Sequence, residues 1–246
     1  MKGFNASVLA TVFGLFAVSG SAQAAITVSS VVGGAPTGVE LDNLDWLSLG
    51  TAGGLSPQSG VQINFKPNAK AVQGSVSGQY AAPYLSGGNG SGFGNPIGTN
   101  QPNGVDATTY ITSGSTGATS GAAAEVVLPD NGGMGYRYFG LLWGSVDNYN
   151  TLSFYKNESF VGDLTGSDVF NSPVGDRGQN GTVYVNINST DAFDTVVATS
   201  SSFAFEFDNI AFNQEAVGVP APAAIGLLGL GLVGLGMATG GRRRLA

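Results

Sequence analysis

The sequence predicts an all-β fold, a jelly-roll-like β-sandwich, over residues 25–218. Glycine accounts for 40 of the 246 residues and charged residues for only 10%, a profile that fits short strands joined by many turns. Segments rich in β-branched and aromatic residues recur along this region, and turn residues separate them. No ten-residue stretch within it shows a convincing helical period, so these observations together favour a sandwich over a helical domain.

Seven segments carry the residue pattern of strands. In the last of them, Phe203, Phe205 and Phe207 alternate with Ala204, Glu206 and Asp208, which predicts that the two sets face opposite sides of a sheet. Turn sequences such as Asp130-Asn131-Gly132-Gly133 lie between the segments. The predicted strands are 61–65, 125–128, 136–143, 151–155, 182–188, 193–199 and 203–212.

Residues 84–124 do not follow this pattern. They consist almost wholly of Gly, Ser, Thr, Asn and Ala, with isolated aromatic residues at Tyr84, Phe93 and Tyr110. Such a segment has too few apolar residues to form a core of its own. We therefore expect a long Gly/Ser/Thr-rich surface loop over 84–124.

The first 24 residues predict a signal peptide. Lys2 opens a short basic region, residues 8–18 form an apolar core, and Ala22-Gln23-Ala24 is a small-residue cleavage site. The apolar core is too short to span a membrane as a mature helix. We expect an N-terminal signal helix, cleavage by signal peptidase after Ala24, and a mature chain that begins at Ala25.

The last 28 residues, 219–246, have three parts in a fixed order. The motif Val219-Pro220-Ala221-Pro222 comes first, an uncharged apolar run over 223–238 follows, and Arg242, Arg243 and Arg244 form a basic stop. Sixteen helical residues span about 24 Å, short of the roughly 30 Å hydrocarbon core, so the run is a marginal membrane helix. The arginines place its end on the cytoplasmic side, and the prolines keep the motif extended and exposed. An ordinary anchor that is never cut is the alternative.

This tail resembles the PEP-CTERM class of sorting signals, which exosortases recognise in Gram-negative bacteria that make extracellular polysaccharide. The usual motif is Val-Pro-Glu-Pro, and Ala221 stands where glutamate is commonest; residues 219–223 are also similar to a Val-Pro-Leu-Pro-Ala variant. The resemblance implies an exosortase as partner and transient inner-membrane anchoring through a C-terminal hydrophobic sorting helix. It also implies a final location at the cell surface or in the extracellular matrix.

Composition excludes several function classes. Residues 25–218 hold five basic residues against sixteen acidic ones, so nucleic acid and anionic lipid head groups are not expected as partners. The chain has neither cysteine nor histidine, which removes Ser-His and Cys-His catalysis and most transition-metal sites.

Two segments of the predicted domain at 25–218 carry a second resemblance. Residues 138–155 and 203–212 are similar to a family of exosortase-dependent surface proteins whose molecular role is not defined. This resemblance supports the expected location and fold, and it implies no catalytic residues.

Two constellations are candidate binding sites. Trp143, Asp147 and Asn148 would place an aromatic face beside polar groups, the combination that binds sugars, unless Trp143 is core and the polar pair serves a turn. Glu40, Asp42 and Asn43 near the start of the chain, with Asp208 and Asn209 in the last predicted strand, would supply oxygen ligands for Ca²⁺ if the first and last strands are neighbours; Glu40, Asp42 and Asp208 are the main candidates. Solvated turns and strand ends are the alternative interpretation of the acidic set.

Three functions from different classes follow from the sequence. The leading one is a non-enzymatic surface or extracellular-matrix protein, exported and sorted by an exosortase. The alternative is a secreted glycan-binding module associated with exopolysaccharide. A glycosidase with paired carboxylates is the third, although no acidic pair is marked by its context.

Overall fold

The protein is described by a computed structural model that covers residues 24–30, 33–114, 122–173 and 175–218. These residues form two antiparallel sheets that pack face to face, which confirms the predicted all-β class. The signal helix and the sorting helix that the sequence predicts lie outside the described residues. Within the described residues, no helix is long and apolar enough to cross a membrane.

The larger sheet has seven strands: β1 (Ile26–Ser30), β2 (Glu40–Asp42), β5 (Ala69–Val72), β8 (Tyr110–Ser113), β10 (Tyr136–Trp143), β13 (Val183–Phe193) and β15 (Phe205–Asn213). Their order in the sheet is β1-β13-β10-β15-β8-β5, and β2 also pairs with β15.

The smaller sheet has six strands: β3 (Gly54–Leu55), β4 (Gln62–Phe65), β9 (Ala123–Val127), β11 (Asn150–Lys156), β12 (Ser159–Thr165) and β14 (Thr195–Ser200). Their order in the sheet is β12-β11-β14-β9-β4-β3. A separate two-stranded ladder joins β6 (Tyr84–Leu85) and β7 (Gly104–Val105), and the single described helix is α1 (Gly166–Val169).

The main core lies between the two sheets. Alternate residues of the central strands point inward, as the period of two requires: Phe139, Leu141 and Trp143 come from β10, and Phe205 and Phe207 come from β15. All five are at most 1% exposed. Phe203, which the sequence placed on the same face, precedes β15 and is 43% exposed.

A second, smaller core covers the outer face of the seven-stranded sheet. Leu85 and Phe93 pack there against Tyr138, Leu142 and Tyr184 of the sheet. The covering residues belong to the segment between β5 and β8, which we call the covering segment (residues 73–109). One face of the large sheet is therefore buried against the other sheet, and much of its outer face is buried against this segment.

The predicted surface loop at 84–124 is corrected by this arrangement. The described part of that range contains β6, β7 and β8 and the start of β9, and Phe93 and Tyr110 are fully buried. The segment does not need a core of its own, because its few apolar side chains pack on the sheet. All seven predicted strands occur, with shifted ends in most cases, while β1, β2, β3, β5, β6, β7, β8 and β12 were not predicted.

Candidate functional site

Trp143 does not form the glycan contact that the sequence suggested. Its side chain is 0% exposed and stacks on the ring of Phe205, with centroids 4.4 Å apart and an angle of 22° between the ring planes. Both faces of the indole lie in the core between the sheets, so no sugar can stack on it. The interpretation of Trp143 as a core residue is correct.

Asp147 and Asn148 lie in the turn that leads from β10 to β11. The Asn150 amide donates to the Asp147 carbonyl at 3.2 Å, so the pair does serve the turn. Asn148 is exposed, whereas Asp147 is only 7% exposed and accepts a hydrogen bond from the Ser145 hydroxyl at 3.3 Å. Of the three predicted contacts, Asp147 alone faces a cleft.

That cleft, which we call the Tyr149 cleft, has a volume of about 300 Å³. Three aromatic side chains line it, together with two carboxyl groups and one guanidinium group. The aromatic residues are Tyr80, Tyr149 and Phe203, and the charged ones are Asp147, Arg177 and Glu206.

Four separate parts of the chain build the Tyr149 cleft. The turn after β10 supplies Asp147 and Tyr149, and the start of β15 supplies Glu206. The covering segment supplies Tyr80, and the connection between α1 and β13 supplies Arg177. Residues 138–155 and 203–212, which carry the second family resemblance, therefore meet at this cleft.

Glu206 is the most perturbed ionisable group of the cleft. It is 2% exposed; its Oε1 accepts the Ala81 amide at 2.9 Å, and its Oε2 has no hydrogen-bond partner among the described residues. Burial, with a smaller contribution from the negative charge of Asp147, raises the pKa of Glu206 to about 8. The group is therefore protonated at neutral pH, when its hydroxyl can donate a hydrogen bond.

Asp147 lies in a more polar environment than Glu206. Burial raises the pKa of Asp147, but hydrogen bonds from Tyr149 and Ser145 and the charge of Arg177 act in the opposite direction. The Tyr149 hydroxyl has one proton, which the Phe203 carbonyl and Asp147 share, and its contact with Phe203 joins the two aromatic walls. The cleft thus offers aromatic faces, the neutral acid Glu206, and the carboxyl group of Asp147 with the guanidinium group of Arg177 in the same space. Aromatic stacking combined with such groups suits a polyhydroxylated ligand.

The predicted calcium site at Glu40, Asp42 and Asp208 is not formed. The first strand, β1, pairs with β13 and not with the last strand, but β2 does pair with β15 and places Asp42 opposite Ile210. The Asp42 carboxylate, however, is occupied by the Leu44 amide at 2.8 Å, the Trp46 indole at 2.9 Å and the Ser59 hydroxyl at 2.5 Å. Glu40 is exposed, and no group of three or more acidic residues suited to a metal occurs in the described ranges.

The sorting motif Val219, Pro220, Ala221 and Pro222, the arginines Arg242, Arg243 and Arg244, and Ala22 lie outside the described residues. Ala24 and Ala25 are described. Ala25 is exposed; its amide nitrogen donates to the Thr190 hydroxyl at 3.0 Å, and its carbonyl accepts the Thr190 amide at 3.2 Å.

Sequence reasoning missed Glu206, Tyr149, Tyr80, Phe203 and Arg177 as residues of a common cleft. The one available signal was that Tyr149 follows Asp147 and Asn148 directly, in a segment already singled out. Neither protein-family models nor curated proteins gave a match to the chain.

Proposed function

We propose that this chain is an exported surface or extracellular-matrix protein without enzymatic activity, which an exosortase sorts and processes at residues 219–222. The order of proline motif, apolar run and arginine cluster carries the proposal. A leader that signal peptidase would remove after Ala24 supports it. In this proposal the C-terminal helix holds the chain in the inner membrane of a Gram-negative bacterium until processing.

Both ends of the sandwich are hydrogen-bonded to strand β13, which is compatible with removal of the leader and of the C-terminal tail. Ala25 is bonded to Thr190, and Val217 is bonded to Asn188 by a hydrogen bond in each direction, at 3.0 and 2.9 Å. Asn188 and Thr190 are two residues apart on β13. All of these contacts belong to residues that would be retained, so removal of the leader and the tail would leave them intact.

The pairing of β2, near the start of the chain, with the last strand β15 also fits the jelly-roll-like topology that we propose for the sandwich. A folded all-β domain of this kind is suited to a passive role in exopolysaccharide, where the acidic surface would keep it soluble.

The experiment that tests sorting compares the native host with a strain that lacks its exosortase. In the native host we expect the protein at the cell surface or in the matrix. Without the exosortase we expect it to accumulate in the inner-membrane fraction at higher mass. An identical distribution and mass in both strains would contradict the proposal.

A glycan-binding role is the second candidate, and the Tyr149 cleft is the observation that favours it. Tyr80, Tyr149 and Phe203 surround a space of about 300 Å³ that also contains Asp147 and Glu206. That volume is at the small end of ligand clefts and suits one sugar unit of a longer chain. The ligand we propose is the exopolysaccharide of the host.

Binding is tested by the retention of the purified chain on immobilised host exopolysaccharide. Phe203→Ala removes an exposed wall of the cleft, and Phe160→Ala is the matched control, since Phe160 is 50% exposed on β12 of the other sheet. We expect Phe203→Ala to weaken retention about tenfold, equivalent to ~1.4 kcal/mol, and Phe160→Ala to leave it unchanged. Equal retention of the wild-type protein, Phe203→Ala and Phe160→Ala would rule out the cleft as the binding site. If the wild-type protein hydrolysed the glycan and Glu206→Gln did not, the non-enzymatic assignment would be overturned.

A further inference from the structure

Strand β15 changes its neighbour at Asp208 and Asn209. Residues 205–207 pair with β8 and residues 210–212 pair with β2, so these two polar residues fall between the partner strands. On the opposite side, the register with β10 shifts between Gly140 and Leu142. Asn209 has a positive φ of 53°, as the extra residue of a β-bulge often does. The bulge breaks the regular ladder below the covering segment.

Asp208 is completely buried there beside a second acid. It is 0% exposed, and no donor meets its carboxylate oxygens with good hydrogen-bond geometry, although the Asn209 amide is near enough to lower its pKa and its side chain contacts that of Asp106. Asp106 of the covering segment lies beside it and is 1% exposed. The Oδ1 of Asp106 accepts the amide and the hydroxyl of Thr108, at 2.9 and 2.6 Å, while its Oδ2 has no partner in the described ranges.

A chain of hydrogen bonds links Asn209 to the same place. Its side-chain amide donates to Gln101 at 2.5 Å, Gln101 donates to the Thr108 hydroxyl at 3.2 Å, and Thr108 donates to Asp106. Asn209 is 0% exposed, and its side-chain oxygen, Oδ1, has no hydrogen-bond partner in the part of the chain that the structure describes. This neutral oxygen is evidence of a missing ligand that does not depend on the two acids.

Four buried oxygens of these three residues thus have no donor with good hydrogen-bond geometry, and the side chains of Asp106 and Asp208 contact each other. They are Oδ2 of Asp106, both carboxylate oxygens of Asp208, and Oδ1 of Asn209. Carboxylates and amide carbonyls can only accept, so they cannot satisfy one another. The charged groups that act on Asp208 are Asp106 and, more weakly, Asp45, both of them acidic. Buried carboxylates of this kind are normally paired or coordinate a metal.

We propose that Asp106, Asp208 and Asn209 bind one divalent cation, Ca²⁺, between the bulge of β15 and the covering segment. Ca²⁺ takes six to eight oxygen ligands, accepts irregular geometry and uses carboxylates and amide carbonyls alike, so it fits these residues, with water as the remaining ligands. The cation would hold the covering segment against the sheet.

A proton shared between Asp106 and Asp208 is the competing explanation, because burial raises the pKa of Asp208 well above its usual range. The two explanations make opposite predictions for Asp208→Asn. A neutral amide resembles the protonated acid, so it would maintain or raise stability if the pair shares a proton. It would lower stability in saturating Ca²⁺ if the pair binds the cation.

The test uses the full chain and three variants: Asp208→Asn, Asp106→Asn and, as matched control, Asp163→Asn, whose carboxylate is exposed on β12. We expect wild type and Asp163→Asn to contain about one Ca²⁺ per chain by elemental analysis, and EDTA to lower their Tm by about 5 °C or more. Both site variants should lack the metal and the EDTA response.

Terbium gives a second measurement that does not depend on the folding of the variants. Excitation of the wild-type aromatic residues should sensitise Tb³⁺ luminescence, and Ca²⁺ should remove it by competition. The proposal is overturned if the wild-type chain binds neither ion and its Tm does not respond to EDTA. It is equally overturned if Asp208→Asn is as stable as the wild-type protein in saturating Ca²⁺.

Discussion

The indole of Trp143 stacks on the ring of Phe205 with their centroids 4.4 Å apart, and this contact joins the ends of the two central strands β10 and β15. Both residues are 0% exposed. Trp143 is therefore a part of the core, and the Tyr149 cleft is where three aromatic side chains line one space that a ligand can reach.

Trp143→Ala is expected to destabilise the fold by about 3–5 kcal/mol, because it removes a buried indole and leaves a cavity between the sheets. Urea unfolding measures this, and Phe203→Ala, at an exposed position, should change the free energy of unfolding by less than ~1 kcal/mol. If Trp143→Ala kept wild-type stability but lost retention on exopolysaccharide, Trp143 would be a ligand contact after all.

Glu206 is expected to make the free energy of unfolding fall as pH rises. Its pKa is raised in the folded state to about 8 from the ordinary value of 4.5, so the folded state binds this proton more tightly than the unfolded state. The resulting stability is complete below pH 4.5 and is lost as pH rises towards 8. Glu206→Gln, which cannot ionise, should remove this part of the pH dependence.

The check on Glu206 is the free energy of unfolding of both proteins at several pH values between 4.5 and 8. The difference between wild type and Glu206→Gln should change by a few kcal/mol across this range, with the variant favoured at high pH. Parallel curves would show that Glu206 titrates with an ordinary pKa in the folded protein.

Asn188 is expected to hold the residues that precede the sorting motif. Asn188→Ala removes both hydrogen bonds to Val217, at a cost of about 1–3 kcal/mol. Hydrogen exchange should show lost amide protection over residues 214–218, while β10 stays protected. Gln214→Ala, an exposed neighbour in that segment, is the control; equal protection in the two variants would contradict the role of Asn188.

The two prolines of the sorting motif are expected to be required for processing. Pro220→Ala together with Pro222→Ala should let the preceding segment become helical and should make uncut chain accumulate in the membrane. Ala221→Glu restores the commoner residue of the resembled motif and should be processed normally. Immunoblots of membrane and matrix fractions measure both, and normal processing of the double variant would exclude the motif as the recognised element.

The strands that the sequence predicts best are those with dense apolar residues. Strand β10, 136–143, was predicted with correct ends because it is aromatic and continuous, as a strand buried on both faces must be. Strand β8, Tyr110–Ser113, was missed because it is short and lies within a Gly/Ser/Thr-rich stretch, although all four of its residues are buried. Its burial depends on neighbours that are distant in sequence, and composition alone does not report them.

The candidate site was less predictable than the fold. Asp147 was found because it stands next to an aromatic strand and a turn, whereas Glu206 looked like the exposed member of an alternating strand. The outer face of strand β15 is in fact covered by residues 73–109, and the Ala81 amide donates a hydrogen bond to the Glu206 side chain. The sequence predicts no element for residues 73–83, which contain Tyr80 and Ala81, and only a surface loop for 84–124, so neither the buried acid nor the Tyr149 cleft could be predicted. The sequence singled out Asp208 and Asn209, but it could not show that Asp106 of the covering segment lies beside Asp208.

The masses of the terminal peptides of the protein isolated from its native host test the central proposal most directly. We predict an N-terminus at Ala25 and a C-terminus between Val219 and Pro222, with any added mass there identifying what is attached. A C-terminus intact through Ala246 would contradict sorting by an exosortase and would mean a permanent membrane anchor.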